Sequence, residues 1–154
     1  MHFTTSFTLA IALFHSALAQ KGFHLMDREV TFATFPPTNH ASGLWLVPSN
    51  QYNCNVARNP AYFEGPTRAS DIRHGTVIKG QCGAKSINLY PVNNGRELEV
   101  WEANGRMYGK CYRQGSGHTI RCDGSGAAQC AGQNVPCAIT LKGVWVCPVD
   151  LCGS

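Results

Sequence analysis

The sequence predicts a mainly β domain, a small antiparallel sandwich or barrel stapled by disulfides, with one or two short helices. Three observations predict it. Short runs rich in β-branched and aromatic residues recur, bounded by Gly, Pro and Asn. Asn-Gly dipeptides fall between alternating apolar runs, which is a hairpin signal. Eight cysteines stand behind a secretory-type leader, enough to cross-link a compact chain.

The leader comes first in the chain. An apolar run from Phe7 to Phe14 is followed by Ala17-Leu18-Ala19, a small-x-small cleavage pattern. The run is shorter than the roughly 20 residues a membrane span needs. The expectation is a signal peptide at 1–19 and a single disulfide-rich β domain at 20–154, secreted and extracellular, with no membrane anchor. The leader carries no Lys, Arg, Asp or Glu, so the mature chain keeps the net charge of +4. That mild excess suits solubility and weak attraction to acidic surfaces or polysaccharides, and it does not call for a nucleic-acid partner. All of Cys54, Cys82, Cys111, Cys122, Cys130, Cys137, Cys147 and Cys152 lie in the mature part. Without a Cys-x-x-Cys pair, they read as four disulfides and not as a zinc site. Their pairing is left open. No Asn-x-Ser/Thr sequence occurs.

Residues 20–27 read as an arm. Residues 28–35, with Val30 and Phe32 on one face, read as the first strand, stopped by Pro36-Pro37. Residues 43–47 form a second strand ended by Pro48. Residues 48–66 are a polar, Asn-rich loop pinned by Cys54. Residues 66–75 are the best helix candidate, with Pro66 at its start and Gly75 at its end. Residues 76–79 and 87–92 are strands. A three-residue turn, with Gly95 in a bulge, would spare Pro91 from facing Leu98 where a ladder N–H is wanted.

Residues 96–113 are the clearest hairpin. Asn104-Gly105 reads as a two-residue type I′ turn. The register then sets Trp101 opposite Tyr108, Glu99 opposite Lys110, Leu98 opposite Cys111 and Val100 opposite Gly109. One face is apolar, and the other carries an aromatic pair and an ion pair. Residues 119–122 are a short strand. Ser125 caps a helical turn over 127–130. Residues 138–147 read as a last hairpin turning at Lys142-Gly143, with Cys137 and Cys147 at its ends. The count is seven to nine short strands.

The histidines of the mature part, His24, His40, His74 and His118, show no paired metal spacing, so neither metal nor cofactor is expected. Gly115-Ser116-Gly117 and Gly124-Ser125-Gly126 read as turns, because a nucleophilic serine would want a Gly-x-Ser-x-Gly elbow. An RNase-like site would draw on Glu64, Arg68, Arg73, His74 and His118, provided the fold brings them together. A polysaccharide-cleaving site needs two carboxylates across the scissile bond. Glu97 and Glu99 share a strand face, a spacing that sheet pairing already explains. From Ala103 to Cys122 there is no acidic residue, while Arg106, Lys110, Arg113 and Arg121 are basic. Interleaved with them are Trp101, Tyr108 and Tyr112. The candidate binding face is therefore Trp101, Tyr108, Lys110, Tyr112 and Arg113, unless Trp101 and Tyr108 belong to a second buried face.

A short leader, a compact mature chain, eight cysteines and no catalytic signature resemble the small secreted cysteine-rich proteins of filamentous fungi, many of them effectors. Tyr52-Asn53-Cys54 is similar to the aromatic-x-Cys motif of some of these, though it stands farther from the leader. The segment from Val144 to Cys152 resembles the closing strand of the double-psi barrel group. Asp150 follows Cys147-Pro148 here, so no catalytic role is assigned to it. What the class resemblance implies is an effector- or virulence-type monomer that binds a host protein or a cell-surface carbohydrate and is not an enzyme. The competing expectations are a small secreted hydrolase, RNase-like or glycan-active, and a secreted toxin or antimicrobial protein.

Overall fold

The computed structural model describes residues 22–33, 38–79, 86–115, 118–126, 130 and 134–151, the side chains of 38–41 excepted. The expected signal segment lies outside them, as do Cys82, Cys152 and most of the turn at 127–130.

Nine antiparallel strands are described. They are β1 (Phe23–Phe32), β2 (Thr38–Pro48), β3 (Phe63–Gly65), β4 (Thr76–Lys79), β5 (Ser86–Val92), β6 (Glu97–Glu102), β7 (Met107–Arg113), β8 (Thr119–Gly124) and β9 (Cys137–Cys147). One helix, α1 (Cys54–Arg58), and short 3₁₀ turns at Pro60–Tyr62, Ala69–Asp71 and Asn93–Gly95 complete them. The sheet runs β3-β2-β1-β9-β7-β6-β5-β4, with β8 also on β9, and curls into a nearly closed barrel. At the seam between β3 and β4, the Lys79 backbone N–H donates to the Glu64 carboxylate.

Two apolar clusters use opposite faces of this sheet. Leu25, Leu44, Leu46, Ile78, Ile87, Leu89, Leu98, Val100 and Trp145 fill the barrel. Met26, Val30, Phe32, Trp45, Val47, Ile139 and Leu141 pack outside it, under α1. β1, β2 and β9 are therefore covered on both sides.

That double burial explains the largest correction. No hairpin turns at Lys142-Gly143, because β9 is one continuous strand of 11 residues. It pairs along its length with β1, and Val144 is an extra residue between the pairs Met26↔Gly143 and Leu25↔Trp145. Such a bulge reverses which face the odd positions occupy. Ile139 and Leu141 accordingly serve the outer cluster, and Trp145 and Cys147 the barrel. Gly143 marks the bulge.

Residues 23–27 of the expected arm are likewise strand, since β1 begins at Phe23. Its polar letters misled. Asp27 and Arg28 are each 7% exposed but partnered. Asp27 accepts from the amides of Ala69 and Ser70. Arg28 donates from Nε to Ala57 O at 3.0 Å and lies 4.6 Å over the Trp45 ring.

The helix expected at 66–75 is only the 3₁₀ turn Ala69–Asp71. The α-helix lies in the Asn-rich loop instead. Asn53 Oδ1 caps α1, accepting from Asn55 N at 2.9 Å and Val56 N at 3.3 Å. Five residues cannot hold a helix alone. Trp45 and Arg28 therefore bind its last carbonyls, and Cys54–Cys122 ties it to β8.

Two further disulfides are described. Cys111–Cys147 joins β7 to β9 inside the barrel, and Cys130–Cys137 closes a short loop.

Both meander turns differ from expectation, and together they set the outer face. Asn93 (φ 51°), Asn94 (φ 56°) and Gly95 (φ 74°) form a left-handed turn, with Arg96 N–H returning to Asn93 O at 3.2 Å, and the strand register is that of a two-residue Asn94-Gly95 loop. Pro91 does face Leu98. The loss is a single ladder bond, because β4 ends at Thr76 opposite Leu89 and leaves Pro91 with no neighbour on its other side. At the next turn only Gly105 is left-handed (φ 89°). Asn104 Oδ1 accepts from Arg106 N at 3.0 Å, and Gly105 N donates to Glu102 O at 3.0 Å. This loop is wider than type I′. Leu98, Val100 and Glu99 keep their expected partners, and a bulge then sets Trp101 opposite Met107 instead of Tyr108.

Candidate functional site

Alternation along β5 and β6 sends Ile87, Leu89, Leu98 and Val100 into the barrel. The intervening residues face outward in register, with Asn88 opposite Trp101 and Tyr90 opposite Glu99. Above them opens a cleft of about 480 Å³, lined by His74, Asn88, Tyr90, Val92, Glu99 and Trp101, with Glu102, Ala103 and Gly105.

Each wall is held. The Trp101 indole N–H donates to Glu99 Oε2 at 3.0 Å, which fixes ring and carboxylate together. His74 meets Tyr90 edge-on, with ring centres 4.8 Å apart at 68°. It is placed by the turn before β4. Arg73 N donates to Thr76 Oγ1 at 3.0 Å, that hydroxyl donates back to Arg73 O at 2.8 Å, and Gly75 N reaches Leu89 O at 3.1 Å. Gly75 has φ 77°, which suits a residue without Cβ. Glu102 accepts from the Tyr108 hydroxyl.

Of the five binding residues expected from the sequence, only Trp101 lines this cleft. Tyr108 is half-buried against the barrel core. Lys110 pairs with Glu97 at 2.8 Å and not with Glu99. That ammonium holds the Glu97 carboxyl below its usual range, helped by Asn93. Tyr112 is 46% exposed on the neighbouring surface. Arg113 turns away, its Nε on Gly95 O at 3.1 Å and its guanidinium 4.7 Å from the Trp145 ring. The cleft residues that the expected binding face omits are His74, Asn88, Tyr90, Glu99 and Glu102, of which the sequence marks His74 for an RNase-like site and Glu99 for a glycan-cleaving one. An Asn94-Gly95 turn, read as two residues, would have set Tyr90 and Asn88 beside Glu99 and Trp101.

Three residues of the RNase-type set have separate neighbours. Glu64 sits at the barrel seam by Lys79, His74 lies in the cleft, and His118 packs with His24 and Tyr52.

Glu64 is titratable in an unusual range. Burial pushes its carboxyl up to about 7, against the Lys79 N–H and charge, and its Oε2 has no hydrogen-bond partner among the described residues. A carboxyl raised above its unfolded value of 4.5 stabilises the fold fully below about pH 4.5 and loses that contribution as pH rises through 7. The group is half-exposed, so solvent screening limits the effect to on the order of 1 kcal/mol. Wild type should therefore lose stability relative to Glu64→Gln between pH 5 and 7.5 in urea melts. Parallel pH profiles for the two proteins would refute this.

The chain matches no protein-family model, no curated protein and no solved structure.

Proposed function

We propose that this is a secreted, disulfide-stabilised binding protein of effector type that takes a carbohydrate in the cleft between His74, Tyr90 and Trp101. The observation that carries the reading is the make-up of that cleft. Three flat rings stand with two carboxylates and an amide on the outer face of a sheet whose inner face is core. Aromatic faces take the apolar C–H faces of sugar rings, and Glu99, Glu102 and Asn88 supply acceptors and donors for hydroxyls. A few placed polar groups in a preformed, mostly apolar cleft are the usual features of a small-ligand site.

Titration of the oxidised mature protein with a panel of oligosaccharides tests it. Trp101→Ala and Tyr90→Ala are each expected to weaken the bound sugar at least tenfold while near-ultraviolet circular dichroism stays native. Undiminished binding by both variants, or no oligosaccharide held at millimolar concentration, would overturn it. Glu99 and Glu102 line the same cleft, which favours a glycan-active enzyme as the second reading. Mass analysis of the incubated sugars separates the two, since shortened chains would mean hydrolysis.

A further inference from the structure

The cleft runs against the charge of the chain. The net charge is +4, yet no Lys or Arg lines the cleft, whereas Glu99 and Glu102 do. Both carboxylates are half-buried. Among the described residues neither of them forms an ion pair. Lys110 stands opposite Glu99 in register, but its ammonium goes to Glu97 at 2.8 Å. That one ammonium therefore serves two carboxylates, Glu97 and Glu99. Arg106 is directed over the Tyr108 ring, 5.8 Å from its centre.

The carboxylates are placed among rings. The Trp101 indole N–H holds Glu99 Oε2 at 3.0 Å, which leaves Oε1 open to a ligand. Alternation puts Glu99 and Trp101 on one face of β6, and Tyr90 stands opposite Glu99 on β5. A cation bound to Glu99 therefore lies beside the Trp101 and Tyr90 rings. Ring faces attract cations within about 6 Å of their centres. Glu102, which accepts from the Tyr108 hydroxyl, adds a second negative charge at the end of β6. Partial burial lowers the local dielectric and strengthens the attraction of both carboxylates for a cation. An acidic sugar would meet them as like charges, and a neutral sugar would leave them without a countercharge.

Resting on the carbohydrate reading of this cleft, we propose that its ligand is a cationic sugar, an oligosaccharide whose units carry free 2-amino groups. Such a unit matches the lining group by group. Its C–H faces suit Trp101 and Tyr90, its ammonium suits Glu99 and Glu102, and its hydroxyls suit Asn88. Acetylation of the amine removes the charge and with it the charge-assisted hydrogen bonds, so N-acetylated chains are the weaker ligands.

Calorimetric titration of the oxidised mature protein with tetrasaccharides of glucosamine, N-acetylglucosamine, glucose and a uronic acid tests the proposal. It is run at about pH 6, where amines are protonated and ordinary carboxyls ionised. The free-amine chain should bind at least tenfold tighter than the N-acetylated and glucose chains, and the uronate chain should bind weakest. Raising salt from about 0.05 to about 0.5 M should narrow the gap. Glu99→Gln with Glu102→Gln should abolish the preference while the N-acetylated chain binds as it does to wild type. Asp123→Asn, which removes a negative charge on β8 outside the cleft, should keep the preference. Equal binding of free-amine and N-acetylated chains, both lost in Trp101→Ala, would overturn the proposal and leave the carbohydrate reading standing. A preference that survives in the double variant, or is lost equally in Asp123→Asn, would overturn it as well. If none of the chains is held at millimolar concentration, the carbohydrate reading itself falls, and the proposal with it.

Discussion

Trp145→Ala is expected to lower the unfolding free energy by about 5 kcal/mol. Trp145 is 2% exposed in the barrel core, and truncating a buried tryptophan to alanine typically costs about 3–5 kcal/mol. The remainder comes from one carbonyl. The indole N–H donates to Ala69 O at 2.8 Å, and leaving that buried acceptor unpaired costs about 1–3 kcal/mol. Ala69 is held from both ends, because its amide donates to the buried Asp27 carboxylate. The 3₁₀ turn Ala69–Asp71 thus hangs from two side chains of the barrel. Trp145→Phe separates the contributions, since it keeps part of the ring contact and loses the N–H. It should cost about 1–3 kcal/mol in urea melts. If alanine costs less than 2 kcal/mol, or phenylalanine costs as much as alanine, the account of Trp145 is wrong. The turn also leads to His74, so Trp145→Phe should weaken sugar binding in the cleft without touching it.

The mainly β character, the disulfide framework and most single strands were legible, because period-2 alternation and turn residues are local signals. Val100 between Glu99 and Trp101 is enough to orient β6. What the letters concealed was long-range. Asp27 looks like the end of an arm and Arg28 like the start of a strand until Ala69 and Ala57, tens of residues away, are seen to satisfy them. Lys142-Gly143 looks like a turn because a glycine between two apolar runs usually is one. Here it serves a bulge and a close approach by Gln114.

The cleft was half-legible for a related reason. Trp101 was singled out from its own strand, whereas its neighbours depended on the register of β5 against β6. Weighing one lost proline hydrogen bond above the preference of Asn94-Gly95 for left-handed backbone shifted that register. With the correct turn, Tyr90 falls opposite Glu99. His74 could not have been added from the sequence, because the segment expected to be helix instead ends in the turn that aims it at Tyr90. Within the expected basic-aromatic face, Lys110 and Arg113 are each engaged inside the chain, by Glu97 for one and by Gly95 with Trp145 for the other, and of its five residues only Trp101 lines the cleft.

Removing disulfides should not follow the order that loop length alone dictates. Cys54–Cys122, Cys111–Cys147 and Cys130–Cys137 span separations of 68, 36 and 7 residues. Chain entropy at 25 °C assigns them about 4.4, 3.8 and 2.4 kcal/mol. That estimate assumes a native state equally rigid with and without the bond. The assumption suits Cys111–Cys147, which joins two fully buried sulfurs on barrel strands. Cys111→Ala with Cys147→Ala should cost the full amount plus the loss of two buried sulfur atoms, about 5 kcal/mol in all. Cys54 is half-buried at the start of a five-residue helix. Without its bond α1 can detach while the barrel persists, and the native state regains part of the entropy that the unfolded state gains. Cys54→Ala with Cys122→Ala should therefore cost only about 3 kcal/mol, with hydrogen exchange rising in α1 before the strands. If the longer loop proves the more stabilising in urea melts, or α1 stays as protected as β9, then α1 is an integral part of the core.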